Sequence, residues 1–86
     1  MWDWDEPKRQ ANLAKHGVDF TAVAGFDWAT AKIEPDLRND YGEVRLRVTG
    51  LIGDRLHVLV YAPRGKGDRI ISLRKANPRE IDRWHT

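Results

Sequence analysis

The second half of the chain alternates between apolar and polar side chains, a pattern that predicts β-strands. The segment EVRLRVTGLI, which begins at Glu43, puts Val and Leu on one face and Arg and Thr on the other. RLHVLVYA, from Arg55, is apolar on both faces, so we expect it at the centre of a sheet. RIISLRKA, from Arg69, is predicted as the last strand, after the basic loop PRGKGD. Short turns between consecutive strands favour an antiparallel meander.

Helix signals dominate the first half. Asp5 can cap a helix whose first turn holds Pro7, and Gly17 can end that helix in the left-handed conformation. Asp19 is a second cap, and the short helix after it is expected to end at Gly25. The buried side of this second helix is predicted to carry Phe20, Val23 and Ala24.

Four short segments complete the expected order β-α-α-β-β-β-β-α. WDW near the N-terminus and residues 31–34 predict short strands, and NDYG at residues 39–42 predicts a loop. NPRE at residues 77–80 has the cap, Pro and Glu spacing of a capping box and predicts a final helix. The expected fold is one α+β domain over residues 1–86, a small antiparallel sheet packed by two N-terminal helices and a short C-terminal helix.

Composition narrows the class of protein. The 86-residue chain has no cysteine, which excludes disulfides and thiolate metal sites. Without a long apolar run or the apolar stretch of a signal peptide, we expect a cytoplasmic protein that does not contact a membrane. Residues 1–43 hold five Lys/Arg and nine Asp/Glu, whereas residues 44–86 hold ten and four. The basic half predicts an anionic partner such as nucleic acid, although a solvated surface balanced by the acidic half explains it equally well.

The last predicted strand concentrates chemistry suited to a phosphate. Simple alternation puts Ile70, Ser72 and Arg74 on one side and Arg69, Ile71, Leu73 and Lys75 on the other. A guanidinium binds phosphate in bidentate fashion and a serine hydroxyl adds a neutral hydrogen bond, so this side resembles an anion-binding floor that Arg45 and Arg47 could extend. The alternative is that Arg74 pairs with Glu80 or Asp82 and that the other cations are strand-end charges.

Three separated blocks resemble the BrnT family of bacterial type II toxins, which are small RelE-like ribonucleases. The blocks are WDxxKxxxNxxKHGVDF from Trp4, DYGExR from Asp40 and RIISxRKA from Arg69, and the resemblance covers essentially the whole length. Leu73 stands where Ala is common, and the PRGKGD loop is this chain's own. The resemblance implies a RelE-like fold and RNA cleavage without a metal or other cofactor.

The resemblance also implies protein partners. The toxin would be neutralised by a BrnA-type antitoxin with a ribbon-helix-helix domain, and operator DNA would be bound only through that antitoxin. A dimer or a 2:2 assembly with the antitoxin is compatible with this interpretation.

For the cleavage chemistry we expect the adjacent 2′-hydroxyl of RNA to attack the phosphate. Arg69 and Arg74 are then candidate phosphate clamps, Ser72 would orient the phosphate, and Lys75 is a further cation nearby. His16 lies in a matched block and is a candidate acid or base, although its place at a helix C-terminus also gives it a structural role. Further RNA contacts are expected from Lys8, Arg38, Arg45 and Arg47.

Other titratable side chains have ordinary explanations. His57 lies in the central strand, and His85 is next to the last residue. Tyr41, Tyr61 and Glu43 could act as acid or base, but packing or a salt bridge with Arg45 accounts for them as well. The tryptophans could stack on RNA bases, but the core is expected to take Trp4 and Trp28, and a partner to cover Trp2 and Trp84.

A different class of function remains open. The chain could be a non-catalytic nucleic-acid- or antitoxin-binding module, in which the cations serve only for contact. A purely structural interaction domain explains the uneven charge least well. Binding that weakens with salt but leaves RNA intact would distinguish the module from an enzyme.

Overall fold

A five-stranded sheet is the centre of the fold. The computed structural model describes residues 1–38 and 40–86. Its elements are β1 (Trp2–Asp3), α1 (Glu6–His16), a 3₁₀ helix (Phe20–Gly25), β2 (Lys32–Pro35), β3 (Leu46–Ile52), β4 (Arg55–Ala62), β5 (Asp68–Lys75) and α2 (Pro78–Trp84). The strand order across the sheet is β1-β5-β4-β3-β2. The α+β class is confirmed. None of the described helices is long and apolar enough to cross a membrane.

The sheet is mixed, so the prediction of an entirely antiparallel sheet is wrong. β2 to β5 form the expected antiparallel meander, but β1 pairs in parallel with the start of β5. The chain can make this parallel pair because the two early helices and the meander lie between β1 and β5. The loop predicted at residues 39–42 falls partly on Asn39, which lies outside the described residues.

The boundaries of α1 follow the sequence signals. The Asp5 carboxylate accepts a hydrogen bond from the backbone N–H of Lys8 at 3.3 Å, and Pro7 lies in the first turn. Gly17 adopts φ of 70° and donates its N–H to the carbonyl of Leu13 at 2.8 Å. This left-handed cap is the geometry that glycine favours.

The second helix is a 3₁₀ helix instead of the expected α-helix. Asp19 caps it by accepting from the N–H of Thr21 at 3.0 Å. Three residues per turn bring positions i and i+3 into line, so Phe20 and Val23 are buried while Ala24 is exposed. The prediction that Ala24 faces the core is wrong because it assumed the spacing of an α-helix.

β4 is the central strand and is buried on both faces, as its sequence predicts. We call the face that carries Val48, Leu59 and Leu73 the covered face, because α1 and the 3₁₀ helix pack on it. Gly50 also belongs to it, since a Cβ there would lie 2.6 Å from the ring of Phe26. We call the opposite face, which carries Arg47, Ser72 and Arg74, the arginine face.

A β-bulge in β5 changes which side chains share a face. Val60 pairs with Ser72 and Tyr61 pairs with Ile70, so Ile71 has no partner on β4. The extra residue puts Ile70 on the same side as Leu73, in the core, and turns Arg69 toward the arginine face. The predicted alternation of β5 is therefore wrong at this point, because it assumed an unbroken period of two.

Two different contacts satisfy the backbone groups on the edge of β5 that faces away from β4. β1 pairs only with Asp68 and Arg69. Farther along, the side chain of Asn12 donates to the carbonyl of Leu73 at 2.7 Å and accepts from its N–H at 3.3 Å. Its amide also donates to the carbonyl of Val18 at 3.0 Å. Asn12 thus bonds β5 as a neighbouring strand would, which accounts for a buried polar side chain on α1.

α2 covers one end of the arginine face. Asn77 and Glu80 form the predicted capping box, with bonds of 2.9 Å and 2.8 Å. Trp84 packs with Ile81 against a second apolar cluster that contains Leu56. Trp84 is therefore partly buried within this chain, and the expectation that a partner covers it stays a prediction.

The tryptophan cluster near the N-terminus only partly follows the prediction. Trp4 packs edge-on against Phe20 as expected. Trp28 is 39% exposed, so it is not a core residue. It stacks on Trp2, whose ring centroid lies 5.7 Å away, and both rings meet the edge or face of Tyr61. The two indoles shield each other at the border of the core.

Candidate functional site

The arginine face is organised in rows that run across the strands. The rows are Arg69 with Ala62; Ser72 with Val60, Arg47 and Glu34; and Arg74 with Val58, Thr49 and Lys32. Neighbouring strands lie about 4.8 Å apart, so β5 and β3 are separated by roughly 10 Å across β4. Arg74, Ser72 and Arg47 therefore surround the buried valines of β4 at a spacing that their side chains can bridge.

Arg74 is held at one end by a carboxylate of α2. Its Nη1 and Nη2 donate to the two carboxylate oxygens of Glu80 at 2.7 Å and 2.9 Å. These bonds lower the pKa of Glu80 to about 2 and raise that of Arg74, while the nearby charge of Arg38 opposes the rise. Glu80 takes the end of the guanidinium, so Nε and the second hydrogen of Nη2 stay unbonded among the described residues. That free edge is the second bidentate donor pair of Arg74.

Arg47 and Arg38 use this Nε–Nη2 edge for their own carboxylates. Arg47 donates through Nη2 and Nε to Glu34 Oε1 at 2.8 Å and 3.2 Å. Arg38 donates to both oxygens of the buried Asp36 at 2.8 Å, which holds the pKa of Asp36 at about 2. Arg38 and Arg47 therefore occupy their Nε–Nη2 edges with carboxylates, whereas that edge of Arg74 is unbonded among the described residues.

Arg45 is engaged at the border of the site. Its guanidinium lies 3.8 Å from the ring centroid of Tyr41 and 3.5 Å from Glu43, and Arg64 also contacts that carboxylate at 3.2 Å. The alternative explanations for Tyr41 and Glu43, packing and a salt bridge, are therefore present in the structure.

His16 is the last residue of α1, which packs against β5 on the covered face, whereas Arg74 lies on the arginine face of that strand. Partial burial lowers the pKa of His16, and the charges of Lys15 and Arg74 lower it further. The imidazole is therefore neutral at physiological pH and able to accept a proton.

The remaining predicted site residues are distributed around this group. Arg69 donates through Nε to Asp3 at 3.2 Å, at the opposite end of β5 from Arg74. Ser72 makes no hydrogen bond through its hydroxyl within the described part of the chain. Lys75 is exposed at the end of β5, and Lys8 is exposed in the first turn of α1. The structure therefore brings Ser72, Arg74 and Arg47 together and separates Arg69 and Lys8 from them.

Two histidines lie elsewhere. His57 is buried on β4 and its Nδ1 lies 2.9 Å from the carbonyl of Arg55, which fits the predicted core role. His85 is exposed just after α2. Tyr61 is also removed from the arginine face, because it belongs to the aromatic cluster with Trp2 and Trp28.

A cleft of about 200 Å³ adjoins the Arg74–Glu80 pair, between α2 and the β2–β3 edge. The residues that line it come from three elements: Lys32, Ile33 and Glu34 from β2, Arg47 and Thr49 from β3, and Glu80, Arg83 and Trp84 from α2. Sequence reasoning missed this cleft and the roles of Glu34, Asp36 and Asn12. The i,i+2 spacing of Asp36 and Arg38 was a usable signal, whereas the other contacts require the sheet register.

These features define a small α+β domain with a basic sheet face and an adjoining cleft. A sequence model of the family described as "Ribonuclease toxin, BrnT, of type II toxin-antitoxin system" matches residues 4–80. The chain therefore belongs to the BrnT family, whose members are ribonuclease toxins, and membership in a type II system implies an antitoxin partner. No curated protein matches the chain significantly.

Proposed function

We propose that the chain is a metal-independent endoribonuclease with a RelE-like fold, which acts in the cytoplasm on RNA and arrests translation and growth. Membership in the BrnT family supports the assignment of RNA cleavage as the reaction. The observation that supports the site is the Nε–Nη2 edge of Arg74, which stays unbonded among the described residues while Glu80 holds the other end of the guanidinium.

The reaction uses the 2′-hydroxyl of RNA as nucleophile. A base removes its proton, the oxygen bonds to the adjacent phosphorus, and the bond from phosphorus to the 5′-oxygen breaks. The leaving oxygen takes a proton from solvent. The products are a 2′,3′-cyclic phosphate and a 5′-hydroxyl, and DNA is not cut because it lacks the nucleophile.

Arg74 binds the scissile phosphate through Nε and Nη2 while Glu80 holds its other end. This fixed guanidinium does not need to be ordered when the phosphorane charge develops, which is the condition for effective electrostatic stabilisation. Ser72 donates its hydroxyl to the same phosphate from the neighbouring row. Lys75 pairs with His57 and lies on the other side of β5, where it adds positive charge without contacting that phosphate. Arg69 and the RNA contacts Lys8, Arg38, Arg45 and Arg47 bind other parts of the strand.

His16 is the general base in this proposal. Its neutral form is favoured by burial and by two nearby cations, so it is ready to accept a proton at neutral pH. Tyr61 is excluded from this role in the proposal because it packs among Trp2 and Trp28.

The antitoxin is proposed to be a BrnA-type ribbon-helix-helix protein that binds the toxin in a dimeric or 2:2 assembly and carries it to operator DNA. Co-expression of this antitoxin with the toxin should restore growth, and light scattering of the purified complex should give its stoichiometry. Growth arrest that persists with the neighbouring ribbon-helix-helix protein would contradict this part of the proposal.

The nuclease proposal is tested by incubating the purified protein with RNA in EDTA. We expect cleavage, products with 2′,3′-cyclic phosphate ends, and protection of any site that carries a single 2′-deoxy substitution. Cleavage of the 2′-deoxy site would rule out the proposed nucleophile. RNA that is bound in a salt-dependent manner but stays intact would identify a non-catalytic binding module.

A further inference from the structure

The cleft beside Arg74 has the features of a binding site for a single base. We propose that it binds one base of the RNA, stacked on Trp84, next to the phosphate held by Arg74; this subsite rests on the nuclease function proposed above. Glu80 connects the two places, because it bonds Arg74 and also lines the cleft. An RNA strand with a phosphate at Arg74 can therefore place a neighbouring base in the cleft.

Trp84 supplies a stacking surface that is already fixed in place. The indole packs against the apolar cluster around Leu56, which holds it without a ligand. The ammonium of Lys32 lies over the ring, 5.0 Å from the centroid, and Lys32 is exposed. Stacking of a base on an aromatic ring is stronger than an exposed cation–π contact, so a base displaces Lys32 from the ring. The released ammonium remains close enough to contact the RNA backbone.

The cleft also holds a carboxylate oxygen that can accept a hydrogen bond from a base. Both bonds from Arg47 go to Oε1 of Glu34, so Oε2 accepts no hydrogen bond from the described residues. A carboxylate oxygen accepts from the amino or imino groups of a base, as it does from cytosine N4 in nucleic-acid complexes. The volume of about 200 Å³ is below the ~300 Å³ at which pockets for drug-sized molecules begin. One base fits this space better than a larger ligand.

The test uses a short 2′-O-methyl RNA oligomer, which lacks the nucleophile and so reports binding without cleavage. Binding is followed by fluorescence anisotropy of the labelled oligomer and by quenching of tryptophan fluorescence. We expect quenching in the wild type, its loss in Trp84→Phe with affinity kept within about threefold, and weaker binding by about 5- to 100-fold in Trp84→Ala. Trp28→Phe is the matched control and should keep both signals, because Trp28 is half-exposed but lies in the N-terminal aromatic cluster.

The proposal is overturned by quenching that persists in Trp84→Phe, by wild-type affinity in Trp84→Ala, or by a wild-type protein that shows no quenching. Loss of antitoxin binding with intact RNA binding in Trp84→Ala would assign the cleft to the antitoxin instead. If Trp84→Ala does not fold, the fluorescence of Trp84→Phe decides. Binding of the oligomer through Trp84 without cleavage of ordinary RNA would remove the nuclease proposal and leave the subsite. Cleavage of dilute RNA by Trp84→Ala at the wild-type rate would remove the subsite and leave the nuclease proposal.

Discussion

The covered face and the arginine face are built on the same strands but are stabilised in different ways. On the covered face, apolar side chains such as Leu59 and Leu73 are fully buried beneath α1 and the 3₁₀ helix. On the arginine face, β4 is equally apolar, but the strands beside it carry guanidinium groups that bond to carboxylates on β2 and α2. The first face gains stability mainly from packing, with the Asn12 bonds at its edge, whereas the second places charge over an apolar strand and needs neighbouring elements to balance it.

This difference predicts which substitutions act on folding and which act on function. Changes on the covered face should unfold the protein, and changes on the arginine face should alter chemistry while the fold persists. Four experiments, ordered by expected effect, test that division.

The largest effect is expected from Leu59→Ala, at the centre of the covered face. Leu59 is fully buried, so its truncation removes packing and leaves a cavity, at a cost of about 2–5 kcal/mol in the free energy of unfolding. Chemical denaturation followed by circular dichroism measures this. Leu37→Ala is the control, because Leu37 is 83% exposed and its truncation should cost less than about 0.5 kcal/mol. Equal effects of the two substitutions would contradict the comparison.

Arg74→Ala should lower the rate of RNA cleavage by about 100-fold or more, as expected when a fixed donor to the transition state is lost. Arg74→Lys should be similarly impaired, because an ammonium keeps the charge but lacks the bidentate edge. The measurement is single-turnover cleavage of a defined RNA, with thermal melts to show that the fold is intact. Arg9→Ala is the control, since Arg9 also binds carboxylates but lies on α1. A Lys variant that cleaves as fast as the wild type would rule out the bidentate role.

Asn12→Ala should destabilise the protein by about 2 kcal/mol, because it leaves the buried N–H and carbonyl of Leu73 without partners. Hydrogen exchange at Leu73 should accelerate along with the loss of global stability. The matched control is Gln10→Ala, on the exposed side of the same helix. Unchanged protection at Leu73 would show that Asn12 does not act as a strand substitute.

The smallest expected effect is the pH dependence of the stability that the Arg74–Glu80 pair contributes. The pKa of Glu80 is lowered from 4.5 to about 2 by its bonds from Arg74, so the pair stabilises the fold fully above pH 4.5 and loses its contribution as the pH falls to about 2. The wild type should exceed Glu80→Gln by about 1 kcal/mol at neutral pH, and the gap should close over this range. Asp82→Asn, which removes one charge from the same helix and breaks no side-chain ion pair among the described residues, is the control. A gap that stays constant down to pH 2 would contradict the assignment.

The caps and the central strand could be predicted from sequence because their causes are local. Asp5, Gly17 and Asn77 act on groups within a few residues of themselves, and the apolar pattern of β4 needs no knowledge of its neighbours. The parallel pairing of β1 could not be predicted in this way, because it joins the two ends of the chain. The 3₁₀ form of the second helix was missed because the i,i+3 spacing of Phe20 and Val23 fits both helix types.

The candidate site was predicted in its residue types but not in its arrangement. The three cations of β5 were visible in the sequence, yet the bulge at Ile71 decides which of them face the same way. The contact between Glu34 and Arg47 depends on register across a loop, so sequence spacing carries no signal for it. The sequence left two explanations for Arg74 open, an anion-binding surface or an ion pair with Glu80 or Asp82. The structure has the ion pair with Glu80, and a cleft lies beside it.

The unpaired Ile71 makes β5 one residue longer than a regular strand with the same two faces. Deleting Ile71 would leave an unbroken alternation in which Ile70 and Leu73 still face the core, whereas deleting Leu73 would put Ser72 and Arg74 on opposite faces. The second change cannot be repaired by exchanging one apolar side chain for another. We therefore expect a single-codon deletion at Leu73 to abolish toxicity and one at Ile71 to be tolerated.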